Sequence, residues 1–331
     1  MPTFCRHNRL VQNCPICSRE QEIELRPIVS SSAPRSSLPR TSAPRSSTTR
    51  ARSGAARTAA TGAGVRVRRL ERGVEDGYRS RLVQGLKSSA DAERLAEEIA
   101  FAATRLGRLE HDPPGLYGEV AGTEDLEERT WLAFLIAYIC PLENDDPFAG
   151  VEAARTTWSS GEPPTLDGVA LGARTAHEPE RGTRTIDAYR AWADRAGSQA
   201  AAFSGEPAWS PQRRFERVFE RLALPGLHRD ARFDLLVTLG RLGLYDLRAG
   251  GLRFGGGDEV TVAAKRLLGI GDPMLLERRA ADLADACGVP LEALDLGFYN
   301  WGLGARATAG LGEDTEPDPD VLESAQHALG L

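Results

Sequence analysis

Four residues near the amino terminus have the types and spacing to hold a metal. Cys5 and His7 stand one residue apart, and Cys14-Pro15-Ile16-Cys17 forms a CxxC knuckle whose tight turn lets both sulfurs face one ion. Zinc takes four nitrogen or sulfur ligands in a tetrahedron, and a site filled by four protein ligands has no open position, so its role is structural. So short a segment has almost no core. Metal binding would supply its folding energy, on the order of 10 kcal/mol. The spacing therefore points to a structural zinc on Cys5, His7, Cys14 and Cys17. The competing reading is a chance cluster in a tail; a redox CxxC would need a surrounding strand–helix pattern, which is missing.

A second set of residues could do chemistry on substrate. Asp258-Glu259 follows a glycine-rich turn (Gly250-Gly251, then Gly255-Gly256-Gly257), and Asp234 lies on an apolar helical pattern just upstream. A positioned carboxylate can steady developing positive charge or activate a nucleophile. Each could equally be a solvated charge at a helix end. The sequence has no Ser-His-Asp order, no Walker loop and no glycine fingerprint after a strand. Of its two lysines, Lys87 lies far upstream and Lys265 lies after the acidic pair, so a lyase mechanism with an amine nucleophile is not expected.

The elements that must position these carboxylates begin at Ser210-Pro211, a helix start with Ser as N-cap and Pro at the first helical position. Phe215, Val218, Phe219 and Leu222 then fall on one face. Leu224-Pro225-Gly226 breaks the helix, and a second follows on Phe233, Leu236, Val237 and Gly240. The result is a helix-hairpin-helix candidate. Upstream, Leu95, Ile99, Ala102 and Leu106 mark an amphipathic helix. Thr123 is the expected N-cap of a helix opening on Glu124, Asp125, Glu127 and Glu128, and residues 131–139 leave it no polar face, as in a buried central helix. Ile186, Tyr189, Ala193 and Phe203 carry another helical pattern. Pro273 opens a helix that stops at Cys287-Gly288, and a further one runs from 290 into 298–302. Asn144-Asp145-Asp146-Pro147 reads as a turn. Only Leu252-Arg253-Phe254 alternates as a strand would. The expected fold is all-α: a two-lobed helical body at 71–305 and an acidic tail with a short helix at 306–331.

Residues 26–70 read as a disordered linker. Ser, Pro, Ala, Thr and Arg dominate, Ser-Ala-Pro-Arg-Ser-Ser occurs at 32–37 and again at 42–47, and no acidic residue falls between Glu24 and Glu71. The chain has 331 residues and a net charge of −6. Thirteen Arg and three Glu give residues 1–70 a charge of +10, which leaves −16 for the remainder. Such a basic tail would supply non-specific attraction to nucleic acid, while the acidic body is unsuited to gripping a duplex with a broad basic face. Five cysteines, three of them in the knuckle, are no disulfide framework. No signal peptide is apparent, and the apolar run near 131–139 is too short to span a bilayer, so a cytoplasmic location is expected.

The order of hairpin, acidic residue and a helix ending Arg266-Leu267-Leu268-Gly269 resembles the helix-hairpin-helix DNA glycosylase superfamily. Trp-Leu-Ala-Phe-Leu-Ile-Ala-Tyr at 131–138, Arg-Phe-Asp-Leu-Leu at 232–236 and Gly-Asp-Pro-Met-Leu-Leu-Glu at 271–277 are, more narrowly, similar to the alpha-glutamyl/putrescinyl thymine pyrophosphorylases, over about residues 75–305. The resemblance implies DNA base hypermodification. A thymine-type base carrying pyrophosphate on its 5-methylene would exchange pyrophosphate for an amine or amino acid. Asp258, Glu259 or Asp234 would act on the amine, the hairpin turn at Gly226 would hold a DNA phosphate, and Arg229 and Arg232 would hold the leaving pyrophosphate. His228 stands where the superfamily usually has its second hairpin glycine. Two other readings remain open: a non-catalytic zinc-bearing adaptor for nucleic acid or protein, and a monofunctional base-excision glycosylase.

Overall fold

The stretch without a polar face becomes the pivot of the packing. In the computed structural model, which describes residues 73–312 and 314–331, it forms α3 (Leu126–Ile139), buried at every position from Thr130 to its end. Before it come α1 (Ser89–His111) and α2 (Leu116–Gly122); after it, α4 (Ala149–Ala154), α5 (Arg184–Ala196), α6 (Gln199–Ser204), α7 (Pro211–Arg221) and α8 (Arg229–Arg241). The chain closes with α9 (Glu259–Leu268), α10 (Pro273–Cys287), α11 (Ala293–Leu303) and α12 (Pro319–Leu329). The zinc knuckle and the linker lie outside the described residues. Among the described residues the fold is all-α, with no strand, and no helix is long and apolar enough to cross a membrane.

The helices pack in two groups. α1 lies against α11 and α12, with α9 and α10 completing that group. α3 lies against α8, with α2, α4, α6 and, through α6, α5 and α7 around it. α1 also touches α8, and ion pairs with one fully and one partly buried member cross the seam there: Arg105 of α1 with Asp234 of α8 at 3.0 Å, and Arg241 of α8 with Glu292, just ahead of α11, at 3.1 Å.

Several helix ends follow the sequence signals. Ser210 caps α7 by accepting from the Arg213 N–H, with Pro211 at the first position. Gly288 ends α10 in the left-handed conformation that glycine adopts without strain. Two expectations are corrected. The N-cap of α3 is Asp125, whose carboxylate accepts from the N–H groups of Glu127 and Glu128, while Thr123 ends α2. The carboxylate stands directly before the first turn, where a negative charge also meets the positive end of the helix dipole. Leu252-Arg253-Phe254 is no strand. The N–H groups of Leu252 and Phe254 go to the Glu277 carboxylate (2.6 and 2.8 Å), and Arg253 between them has φ 59°, outside the extended region. The pattern over 186–203 also divides into two helices, because Gly197 turns left-handed (φ 93°) between α5 and α6.

Two non-helical segments build the site. At the C-terminal end of α3 the last carbonyls need partners. Residues 172–176 supply them: the Gly172 N–H bonds the Ile139 and Cys140 carbonyls, and the Ala176 N–H and Thr175 hydroxyl bond that of Tyr138. The approach is so close that a Cβ at Gly172 would lie 2.0 Å from the Pro141 oxygen. This fixes Arg174. The second segment is the turn between α7 and α8. There Gly226 takes φ 82°, the Leu227 N–H bonds the Leu224 carbonyl, and the Thr185 hydroxyl bonds the Pro225 carbonyl. That turn delivers Arg229 at the start of α8.

Candidate functional site

Two clefts meet over the first turns of α8 and α9. The first, of about 470 Å³, is lined by Phe219, Arg229, Arg232, Arg253, Asp258 and Met274 among others. The second, of about 380 Å³, is lined by Arg174, His228, Asp230, Glu259 and Tyr299 among others. Arg229 and Asp258 border both. Each volume is within the range of small-molecule sites.

Beneath the junction lies a buried charge cluster. Asp295 of α11, 3% exposed, receives Arg174 on one carboxylate oxygen at 2.5 Å and Arg229 on the other. Arg229 also donates to Asp230 at 3.1 Å and to the Leu252 carbonyl, and lies over the Phe233 ring. Arg174 lies over the Tyr299 ring. The two carboxylates of this cluster are driven apart. Burial alone would raise Asp295, but Arg229 and Arg174, both bonded to it, hold it below the ordinary carboxylate value. For Asp230 burial prevails over the pull of Arg174 and Arg229, helped by the nearby charges of Asp295 and Asp258, and its pKa is raised. Both shifts follow from burial set against the two guanidinium groups, which bond Asp295 more fully than Asp230.

The wall of the first cleft is cationic. Arg232 lies over the Phe219 ring at 4.4 Å and donates to the Phe219 carbonyl at 3.2 Å, yet its Nε has no acceptor and it has no ion pair among the described residues. Burial, and then the neighbouring Arg229 and Arg253, lower its pKa. A guanidinium next to two others, without a carboxylate of its own, is a place where an anion gains. Arg253 stands beside it, in ion pairs with Glu216 (2.7 Å) and Glu220 (3.3 Å) of α7. Glu277, through its two bonds to the backbone on either side, holds Arg253 in its left-handed conformation.

Of the residues singled out in the sequence, Arg229, Arg232, His228, Asp258 and Glu259 come together along these clefts. The Asp258 carboxylate is engaged as the N-cap of α9, accepting from the N–H and the hydroxyl of Thr261. Glu259 is exposed beside it. His228 precedes α8 and pairs with Glu178 at 2.8 Å. Gly226 lies in the turn, where a Cβ would meet the Thr185 hydroxyl at 2.3 Å. Asp234 is not brought to the clefts; it faces Arg105 at the seam between the helix groups. Arg174, Asp230, Asp295, Arg253 and Glu277 had not been singled out. For Asp230 a signal existed, an acidic residue in the first turn of the hairpin's second helix. For Arg174 none did, since an irregular segment carries it.

Among the described residues no group of three or more His, Cys, Asp or Glu could hold a metal ion. The four candidate zinc ligands all fall outside the described residues. No protein-family model matches the chain, and neither a curated protein nor a solved structure is significantly similar to it.

Proposed function

We propose that the helical body is a DNA-modifying enzyme of glycosylase-like, two-lobed architecture that displaces pyrophosphate from a pyrophosphorylated 5-hydroxymethyluracil-type base with an amine. The observation that carries this reading is the junction of the two clefts, where Arg232, without an ion pair among the described residues and flanked by Arg229 and Arg253, lies near the carboxylate of Asp230, whose pKa is raised. The helix pair α7–α8, with its turn at Gly226, takes the part of the helix-hairpin-helix, and the two helix groups that of the lobes. The zinc knuckle at Cys5, His7, Cys14 and Cys17 is a structural addition that, with the basic linker, brings the enzyme to DNA.

In the reaction the amine nitrogen bonds to the 5-methylene carbon of the base. The C–O bond to pyrophosphate breaks, and its electron pair leaves with the pyrophosphate. Arg232 and Arg253 bind that leaving group in the first cleft and offset the charge it gains. Arg229 is committed to Asp295, Asp230 and the Leu252 carbonyl, and serves to hold the cluster. Asp230 takes the proton that the amine must lose, a task favoured by its raised carboxylate pKa. Asp258 keeps α9 in register between the clefts.

The test is release of pyrophosphate from DNA bearing 5-pyrophosphoryloxymethyluracil, offered a panel of amines. Release that requires an amine, falls about 10²-fold or more in Asp230→Asn and shows a raised KM in Arg232→Ala is the expected result. Release of a free base, or no turnover with any amine alongside DNA binding that depends only on residues 1–70, overturns the proposal in favour of a glycosylase or an adaptor.

A further inference from the structure

The seam between the helix groups contains a small polar cavity of about 10 Å³. α1 lines it with Arg105, α8 with Asp234 and α11 with Asp295, and Arg174 and Glu292 complete its polar wall. All of these are buried except Asp234, which is partly buried. Hydrogen bonds are unevenly shared among them. Arg105 donates to the Ala309 carbonyl, the Tyr117 hydroxyl and Asp234. Glu292 receives Arg241 on one oxygen and the Ala249 N–H on the other. Arg174 gives one N–H to Asp295 at 2.5 Å, but its Nε, itself buried, has no acceptor among the described residues.

An N–H buried without an acceptor keeps its whole desolvation penalty, and in folded proteins such groups are commonly met by an ordered water. The cavity offers about the 10–15 Å³ that one water needs, with polar groups on several sides. Its charges favour a neutral occupant. Arg105 is paired with Asp234, Arg241 with Glu292 and Arg174 with Asp295, so an added ion of either sign would stand uncompensated. A water can instead accept from an arginine and donate to a carboxylate. Asp234 already reaches Arg174 through its charge: burial would lower the Arg174 pKa, but Asp295, Asp230 and Asp234 raise it. We propose that the cavity holds one ordered water, which accepts from Arg174 Nε and donates to the carboxylates of Asp234 and Asp295. The Arg105–Asp234 pair at the seam and the charge cluster beneath the clefts then form one bonded network. Arg174, which also borders the second cleft, is held at two nitrogens instead of one. None of this depends on what the clefts bind.

The test is a crystal structure of the full-length protein at a resolution that shows ordered waters, together with magnetic relaxation dispersion of water in solution, which counts the waters held inside a fold. Density for one oxygen at about 2.7–3.2 Å from Arg174 Nε is expected. Ala102 also lines the cavity and is 1% exposed. Ala102→Val puts two methyl groups there and is expected to expel the water. The count of long-lived waters falls by one, and the melting temperature falls with it because Arg174 loses its acceptor. In a dry cavity the same methyl groups would fill empty space, leave the count unchanged and raise the melting temperature. An empty cavity in the density, a peak that refines as an ion, or a count that Ala102→Val leaves unchanged overturns the proposal. The first two outcomes need only the wild type, so they decide the matter even if the variant does not fold.

Discussion

Replacing Asp295 by Asn is expected to remove a large part of the stability of the helical body. Its two carboxylate oxygens serve two different guanidinium groups, Arg174 on Oδ1 and Arg229 on Oδ2. An amide has one acceptor oxygen, so whichever way the new side chain turns, one arginine meets an NH₂ group instead. All three native side chains are buried, with Asp295, Arg174 and Arg229 exposed by 3%, 7% and 8%. Removing one member of a buried pair leaves an uncompensated charge and costs about 3–5 kcal/mol, against total stabilities of about 5–15 kcal/mol. With a urea dependence of about 3 kcal/mol/M, the midpoint at pH 7 falls by about 1–1.7 M. Asp230→Asn is the control from the same cluster. Its carboxylate is raised by burial, so in its ionised form it opposes folding, and the amide is expected to leave the midpoint unchanged or raise it. The pH dependence has matching signs. The contribution of Asp295, whose pKa is depressed, is present in full above the unfolded carboxylate value of about 3.9 and is lost as pH falls through its lower folded value. The penalty from Asp230 is relieved as pH falls through its raised folded value. Urea curves for both variants from pH 4 to 8 would refute the reasoning if Asp295→Asn lowers stability by under about 1 kcal/mol, or if Asp230→Asn proves the more damaging change.

Two further expectations concern residues singled out in the sequence. Asp258→Ala removes the cap of α9 and is expected to lower stability by about 1 kcal/mol, whereas Asp258→Ser keeps a capping oxygen and most of that stability. If Asp258 acts only as a cap, amine-dependent turnover follows stability through the two variants; equal loss of turnover in both, with the serine variant stable, would give the carboxylate a direct part. For the amino-terminal knuckle, elemental analysis of the full chain is expected to find one zinc per molecule, removed by Cys14→Ser while the melting of the helical body stays unchanged. Zinc-free wild-type protein would refute the ligand set.

What the sequence disclosed of the fold was whatever local chemistry decides. Pro211, Pro273 and Gly288 mark helix ends because proline and glycine act on their own backbone, and residues 131–139 reveal burial because they leave a helix no polar side. Thr123 misled because Asp125, two residues on, is an equally local cap. The site was less legible. Arg229, Arg232 and Asp258 stood out beside a recognisable hairpin. Arg174 is placed by the carbonyls at the end of α3, and Asp295 by the packing of α11, so their meeting depends on segments more than a hundred residues apart. Asp234 lies four residues beyond Asp230 on nearly the same face of α8, but about 6 Å further along the axis, where it meets Arg105 instead of the clefts.

Glu277 sits one helical turn beyond Met274 on α10, and both of its carboxylate oxygens are tied to the backbone that flanks Arg253. The outer tip of that helix and the cationic wall of the cleft are therefore two ends of one lever. A displacement of the first turns of α10 would reach the backbone around Arg253 through those two bonds. An anion held by Arg253 and a ligand touching the outer tip of α10 would then share one coupling free energy, equal in both directions.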